Sequence, residues 1–143
     1  MKSSCMVIGS GSIGERHAYN LMRFFDRDVF VLSRNPSQKF RNNQLNESIN
    51  VKKISKNELK NIQDLEILII ATPSSIRSQI FDEFKSININ NIYAEVPAAI
   101  SFHEWQNLKK IAHSFNAKLF AGYNMRFHPG IIKLNSLKDD FIS

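Results

Sequence analysis

The chain holds a single cysteine in 143 residues, Cys5, and so cannot build a disulfide framework. Cys5 stands inside the apolar run from Ser4 to Ile8 and reads as a small core hydrophobe rather than a reactive thiol. No apolar run approaches the roughly 18 residues a membrane-spanning helix requires. The segment from Met1 to Gly9 enters a strand pattern without the apolar centre of a secretory signal, so a cytoplasmic protein with no membrane attachment is expected. Glycine (five) and proline (four) are too sparse for a low-complexity chain, while 43% hydrophobic and 22% charged residues are ordinary for a globular one. Long tracts of like charge are also missing. The nineteen Lys and Arg are dispersed among thirteen acids, so the net charge of +6 reads as a solvated basic surface and not as a nucleic-acid groove. The same field would suit the phosphates of a small anionic ligand. No His, Cys or carboxylate spacing suggests a metal site.

What is present is an alternation of strand and helix. Ser4 to Ile8 is a short buried strand, and Ile13 to Phe25 carries apolar residues at helical spacing. Val29 to Leu32 and Val51 to Ile54 read as further strands, with a loop and a helical turn after Pro36 between them. Leu65 to Ala71 is apolar throughout, as expected of a central strand covered on both faces. Pro73 and the serines after it open a helix that presents Ile76, Ile80, Phe81 and Phe84 on one face. Asn91 to Ala94 and Lys118 to Ala121 complete the strands. Two Ser-x-x-Glu runs, Ser55 to Glu58 and Ser101 to Glu104, have the spacing of helix N-terminal capping boxes. The second opens a helix with Trp105, Leu108, Ile111, Ala112 and Phe115 inward. A last amphipathic segment carries Ile131, Ile132, Leu134 and Leu137. The alternation predicts a single-domain α/β fold, a doubly wound parallel sheet of Rossmann type.

The run Gly9-Ser10-Gly11-Ser12-Ile13-Gly14 matches G-x-G-x-x-G between a strand and a helix, the context in which the pattern signals a dinucleotide site. Gly9 permits the tight turn, Gly11 the approach of a pyrophosphate, and Gly14 close packing of helix on strand. At the end of the second strand, where an NAD-specific site places an acid on the ribose, the chain has Ser33 and Arg34. A serine hydroxyl and a guanidinium suit a 2'-phosphate, so NADP is the preferred cofactor, with NAD the alternative. Arg34 can also be read as an exposed loop charge.

The stretches GSGSIGERH, ATPSS, AEVP and GYNMRFHP, in this order, resemble the N-terminal half of the Gfo/Idh/MocA oxidoreductases, the family of glucose-fructose oxidoreductase and inositol dehydrogenase. The resemblance implies a cofactor domain over residues 1–122 and, over residues 123–143, a loop and helix leading toward a C-terminal substrate domain that this chain lacks. It implies further that Gly9, Gly11, Ser12, Ile13 and Gly14 face the pyrophosphate. Thr72, Pro73 and Ser74 would lie along the cofactor, Glu95 beside the nicotinamide ribose, and Tyr123, Asn124, Arg126 and His128 near the nicotinamide. The partners so implied are a dinucleotide and a sugar, inositol or sugar-derivative substrate; homo-oligomer formation is left open.

The pattern breaks at residue 96, where the family's Glu-Lys-Pro becomes Glu95-Val96-Pro97. Valine can neither hydrogen-bond a reacting oxygen nor move a proton. Catalysis by this chain alone is therefore not expected, with Tyr123 and His128 the remaining candidates, and a dinucleotide-binding sensor or scaffold is the competing reading. Arg77 replaces a histidine common in the family and reads as a surface cation. His17 reads as a packing or capping residue, His103 and His113 as solvated ones. The ending Lys138-Asp139-Asp140-Phe141-Ile142-Ser143 suggests a fragment of a longer protein, with a naturally short relative as the alternative.

Overall fold

The computed structural model describes residues 3–137, so the closing run from Lys138 lies outside the described residues. Six parallel strands, β1 (Ser4–Ile8), β2 (Val29–Leu32), β3 (Val51–Ile54), β4 (Asp64–Ile70), β5 (Asn88–Ala94) and β6 (Lys118–Ala121), form one sheet in the order β3-β2-β1-β4-β5-β6. This is the doubly wound order expected from the alternation, with its switch point between β1 and β4, where ligands bind outside the strand carboxyl ends.

The pleat of the central strands divides the core. Cys5 and Val7 point with Val29, Val31 and Ile69 to one face, where helix α1 (Ser12–Phe24) contributes Ala18 and Leu21 and the short α2 (Asn43–Glu47) contributes Leu45. Met6, Ile8, Leu68, Ile70 and Ile92 point to the other, under Phe81, Phe84 and residues Leu108 and Ala112 of α4 (Phe102–Ser114). Burial raises the Cys5 thiol to about 11, which keeps it protonated and inert, as the sequence suggested.

Two elements differ from expectation. Strand β5 begins at Asn88 rather than Asn91, because its polar side chains are tied to β4: Asn88 Nδ2 donates to Asp64 Oδ1 (2.9 Å) and Asn91 Nδ2 to the Glu66 carbonyl (2.8 Å). The segment after Pro73 is not one helix. It is a 3-10 turn (Ser74–Ile76), a four-residue α3 (Arg77–Ile80) and a second 3-10 turn (Phe81–Phe84). Its inward stripe is Arg77, Phe81 and Phe84, and Ile76 is left outside. A helix also forms where only a turn was expected: Asn42 caps α2 by accepting from Gln44 N–H (2.9 Å).

Both capping serines are used. At the second, Ser101 Oγ accepts from Glu104 N–H, while the Glu104 carboxylate reaches one residue further back to Ile100 N–H (2.9 Å). After β6 come a 3-10 turn (Asn124–Phe127) and α5 (Pro129–Ser136), in which no residue is buried. The outward side chain of β6, Phe120, is 45% exposed, and no helix among the described residues covers it. No described helix is long and apolar enough to cross a membrane.

Candidate dinucleotide site

The glycine loop turns out of β1 at the switch point. Gly9 has φ of +107°, a region side chains rarely adopt, and its N–H is held by the Leu32 carbonyl (3.1 Å). A Cβ at Gly14 would overlap the Gly9 carbonyl oxygen, with Val7 next at 3.6 Å, so this glycine permits the loop to fold onto the helix as much as the helix onto the strand. A Cβ at Gly11 would meet nothing within 4 Å. Gly11, Ser12 and Ile13 are exposed, and no side chain caps α1. The first turn of this 13-residue helix thus has no side-chain cap, its leading residues Ser12 and Ile13 are exposed, and the positive end of the helix dipole lies behind them.

Ser33 is buried, and its hydroxyl is shared with Ser10 Oγ (2.9 Å) while accepting from Asn35 N–H (3.2 Å). It thus ties the end of β2 to the glycine loop. Arg34 is exposed beside it. Helix α1 also fixes the loop that follows: the buried Glu15 carboxylate accepts from Arg41 N–H at 3.1 and 3.3 Å.

Across the switch point, Thr72, Pro73 and Ser74 leave β4. Thr72 Oγ1 is the one buried side-chain polar atom without a hydrogen-bond partner among the described residues. An unmatched hydroxyl, an uncapped helix N-terminus and clear space above Gly11 form a donor set that fits a dinucleotide.

Glu95, at the end of β5, is anchored on both oxygens. Oε1 lies 2.6 Å from His17 Nε2, and Oε2 accepts from Val96 N–H (3.0 Å). The His17 ring meets Tyr93 edge-on with centroids 5.5 Å apart. His17 is therefore a partner of Glu95, a role that its place on α1 did not reveal.

Arg77 is the clearest correction. It is not a surface cation: it is 4% exposed, and its guanidinium donates to Thr72 O (Nε 3.1 and Nη2 2.8 Å), Glu95 O (Nη1 2.6 Å) and Pro97 O (Nη1 2.5 Å). Burial lowers its pKa, partly opposed by Glu95. The carbonyls ending β4 and β5 converge under the sheet edge and draw the side chain inward, a convergence that no linear pattern displays.

Val96 is 41% exposed. Tyr123 borders an open cavity of about 310 Å³ with Ile100, Phe102 and Trp105. Asn124, Arg126 and His128 are exposed, Arg126 lying over the Phe127 ring (4.6 Å). His128 Nδ1 accepts from Gly130 N–H (3.2 Å) as the cap of α5. The described structure joins His17, Glu95, Arg77 and Thr72 in one network; it does not bring Tyr123 or His128 into it. No cluster of metal ligands occurs among the described residues.

Residues 3–123 match the model of the Gfo/Idh/MocA oxidoreductase family, NAD-binding Rossmann fold. The chain belongs to that family. No curated protein matches it in sequence. Among solved structures it is similar to the myo-inositol 2-dehydrogenase of Lactobacillus plantarum (18% identity, TM-score 0.71, covering 98% of this chain and 42% of that one). It is similar also to the WlbA dehydrogenase of Bordetella pertussis, solved with NADH and UDP-GlcNAcA (16%, 0.75, 98% and 42%). A third is the UDP-N-acetylglucosamine 3-dehydrogenase of Acidithiobacillus ferrooxidans (22%, 0.69, 95% and 43%). These likenesses establish the shared fold. The chain spans about two fifths of the length of the solved structures it matches.

Proposed function

We propose that this chain is the cofactor half of an NADP-preferring oxidoreductase acting on a sugar, an inositol or a sugar derivative. The observation that carries the reading is the loop from Gly9 to Gly14, which opens an uncapped helix at the sheet's switch point with free space over Gly11. The pyrophosphate would meet the N–H groups of Ser12, Ile13 and Gly14. Thr72, Pro73 and Ser74 would lie along the cofactor, and Glu95 would accept from the nicotinamide ribose. Asn124 and Arg126 would approach from the loop after β6. A bound nicotinamide supplies hydride exchange at C4. Preference for NADP rests on the exposed Arg34 and on the absence of an acid at the ribose position to repel a 2'-phosphate; Ser33, expected as a second contact, is buried and bonded to Ser10 and Asn35 and serves to hold the loop. The direct test is titration of the chain with NADP and NAD; tighter binding of NAD would overturn the preference.

The division into a domain at 1–122 and a lead-in at 123–143 is supported by the exposed apolar side chains of Phe120, Met125, Phe127, Ile132 and Leu134. They mark a surface that a substrate domain would cover. Residue 96 favours a second reading, a dinucleotide-binding sensor without catalysis. Val96 offers no donor to a reacting oxygen, so any proton transfer would fall to Tyr123, His128 or a residue of another domain. Cofactor-linked turnover of sugars by this chain separates the two readings.

A further inference from the structure

A buried guanidinium bonded to no carboxylate is a cost that an apolar residue in the same place would not incur. Arg77 shares the inward stripe of its segment with the apolar Phe81 and Phe84. What Arg77 adds is a fork that fixes three carbonyls at once: Thr72 at the end of β4, and Glu95 and Pro97 on either side of Val96. His17 adds a second constraint from another element, joining α1, the helix opened by the glycine loop, to the Glu95 side chain. Glu95 is thereby tied to two other segments, by carboxylate Oε1 to His17 of α1 and by its backbone carbonyl to Arg77 of α3, while Oε2 accepts from Val96 N–H within its own turn.

We infer that His17 and Arg77 are positioning residues for Glu95, holding the turn from Glu95 to Pro97 in place for the nicotinamide half of the dinucleotide. The inference rests on the dinucleotide reading given above. In a doubly wound sheet each half binds one mononucleotide, the adenosine side beyond β2 and the other side beyond β4 and β5. Glu95, Arg77 and Thr72 stand at the ends of β4 and β5, whereas Gly11, Ser33 and Arg34 stand at the ends of β1 and β2. A defect in the frame should thus be felt by one half of the ligand and not the other.

The experiment compares NAD with ADP, which lacks the nicotinamide nucleotide, by titration calorimetry on the 143-residue chain. His17→Ala removes the carboxylate's partner from a half-buried site, and Arg77→Lys keeps a cation while losing the fork. Each should weaken NAD about tenfold and leave ADP within about twofold, the size expected for losing one charge-assisted hydrogen bond. Equal losses of NAD and ADP, or NAD binding unchanged in either variant, would overturn the inference while leaving the dinucleotide reading intact. Where Arg77→Lys fails to fold, His17→Ala decides alone. Failure of the unmodified chain to bind either ligand would remove the dinucleotide reading and this inference with it.

Discussion

The two halves of the sheet make their sites from different materials. On the side of β1 and β2 the candidate cradle is mostly backbone: a positive-φ glycine, open space over another, and the free N–H groups of a helix start. On the side of β4 to β6 the geometry is made by side chains, His17, Glu95 and Arg77, and one position that would carry chemistry holds Val96. A backbone site tolerates side-chain changes at its exposed non-glycine positions, Ser12 and Ile13, because every residue except proline supplies the same N–H, and it depends on its glycines for shape. A proton-transfer site is lost with one side chain. If residue 96 carries the proton-transfer role, cofactor binding and catalysis would depend on different parts of this chain, and each part can be tested separately.

The largest effect is expected at residue 96. In a protein that joins this domain to a substrate domain, Val96→Lys should raise turnover roughly a hundred- to ten-thousand-fold, the usual contribution of a positioned acid–base group. The unmodified 143-residue chain should show no change in cofactor absorbance with polyols, aldoses or their oxidised forms. Brisk turnover by that chain would end the argument from Val96.

On the backbone side, Gly14→Val should lower stability by about 3 kcal/mol, because its Cβ would overlap the Gly9 carbonyl. Denaturant titration measures this, and an unchanged midpoint would mean that the loop relaxes freely. Gly11→Val should do the opposite: stability within about 0.5 kcal/mol of the original, since a Cβ there has open space around it, but dinucleotide affinity reduced by at least about tenfold. Equal affinity in calorimetry would remove the pyrophosphate from this loop.

Arg34→Ala tests the end of β2. It should weaken NADP about tenfold and NAD within about twofold, as loss of one charge-assisted contact to a 2'-phosphate requires. Equal effects on both would make Arg34 an ordinary surface charge.

The smallest effect concerns Glu66, away from either half-site. Its carboxyl is held below the ordinary range chiefly by the Ser3 hydroxyl, then by Asn90 and the Arg27 charge, against desolvation. A carboxyl lowered on folding contributes stability above its unfolded pKa of about 4.3 and loses it as pH falls through the folded value. Glu66→Gln should therefore reduce the melting temperature slightly at neutral pH and leave it nearer that of the original below about pH 4. A constant difference across that range would assign Glu66 a packing role only.

Strand-forming residues were legible wherever they were apolar: β1, β2, β3 and β6 fall where the sequence places them, and β4 within a residue. The start of β5 was hidden by asparagines whose side chains pair laterally with β4, which a reading of hydropathy scores as loop. The glycine loop was legible because its constraints are local. Arg77 and His17 were not, because their partners lie in the turns after β4 and β5: Arg77 reaches carbonyls at residues 72, 95 and 97, and His17 a carboxylate at 95. Charge alone suggested solvent for the first, and helix position alone suggested packing for the second.

The placement of β1 bears on how the chain comes to exist. Of the six described strands it is synthesised before the other five, yet it lies inside the sheet, with β2 on one side and β4 on the other, Cys5 pairing both Val29 and Ile67. Every neighbour is parallel, so none can close as a hairpin, and the ligand-facing end of β1 is unfinished until Ala71 N–H meets the Ile8 carbonyl. A growing chain that has displayed its glycine loop has still not built the wall opposite it. Capture of a nucleotide at this loop would follow the emergence of β4, which would make ligand retention a reporter of the pairing of β1 with β4 rather than of the motif's presence.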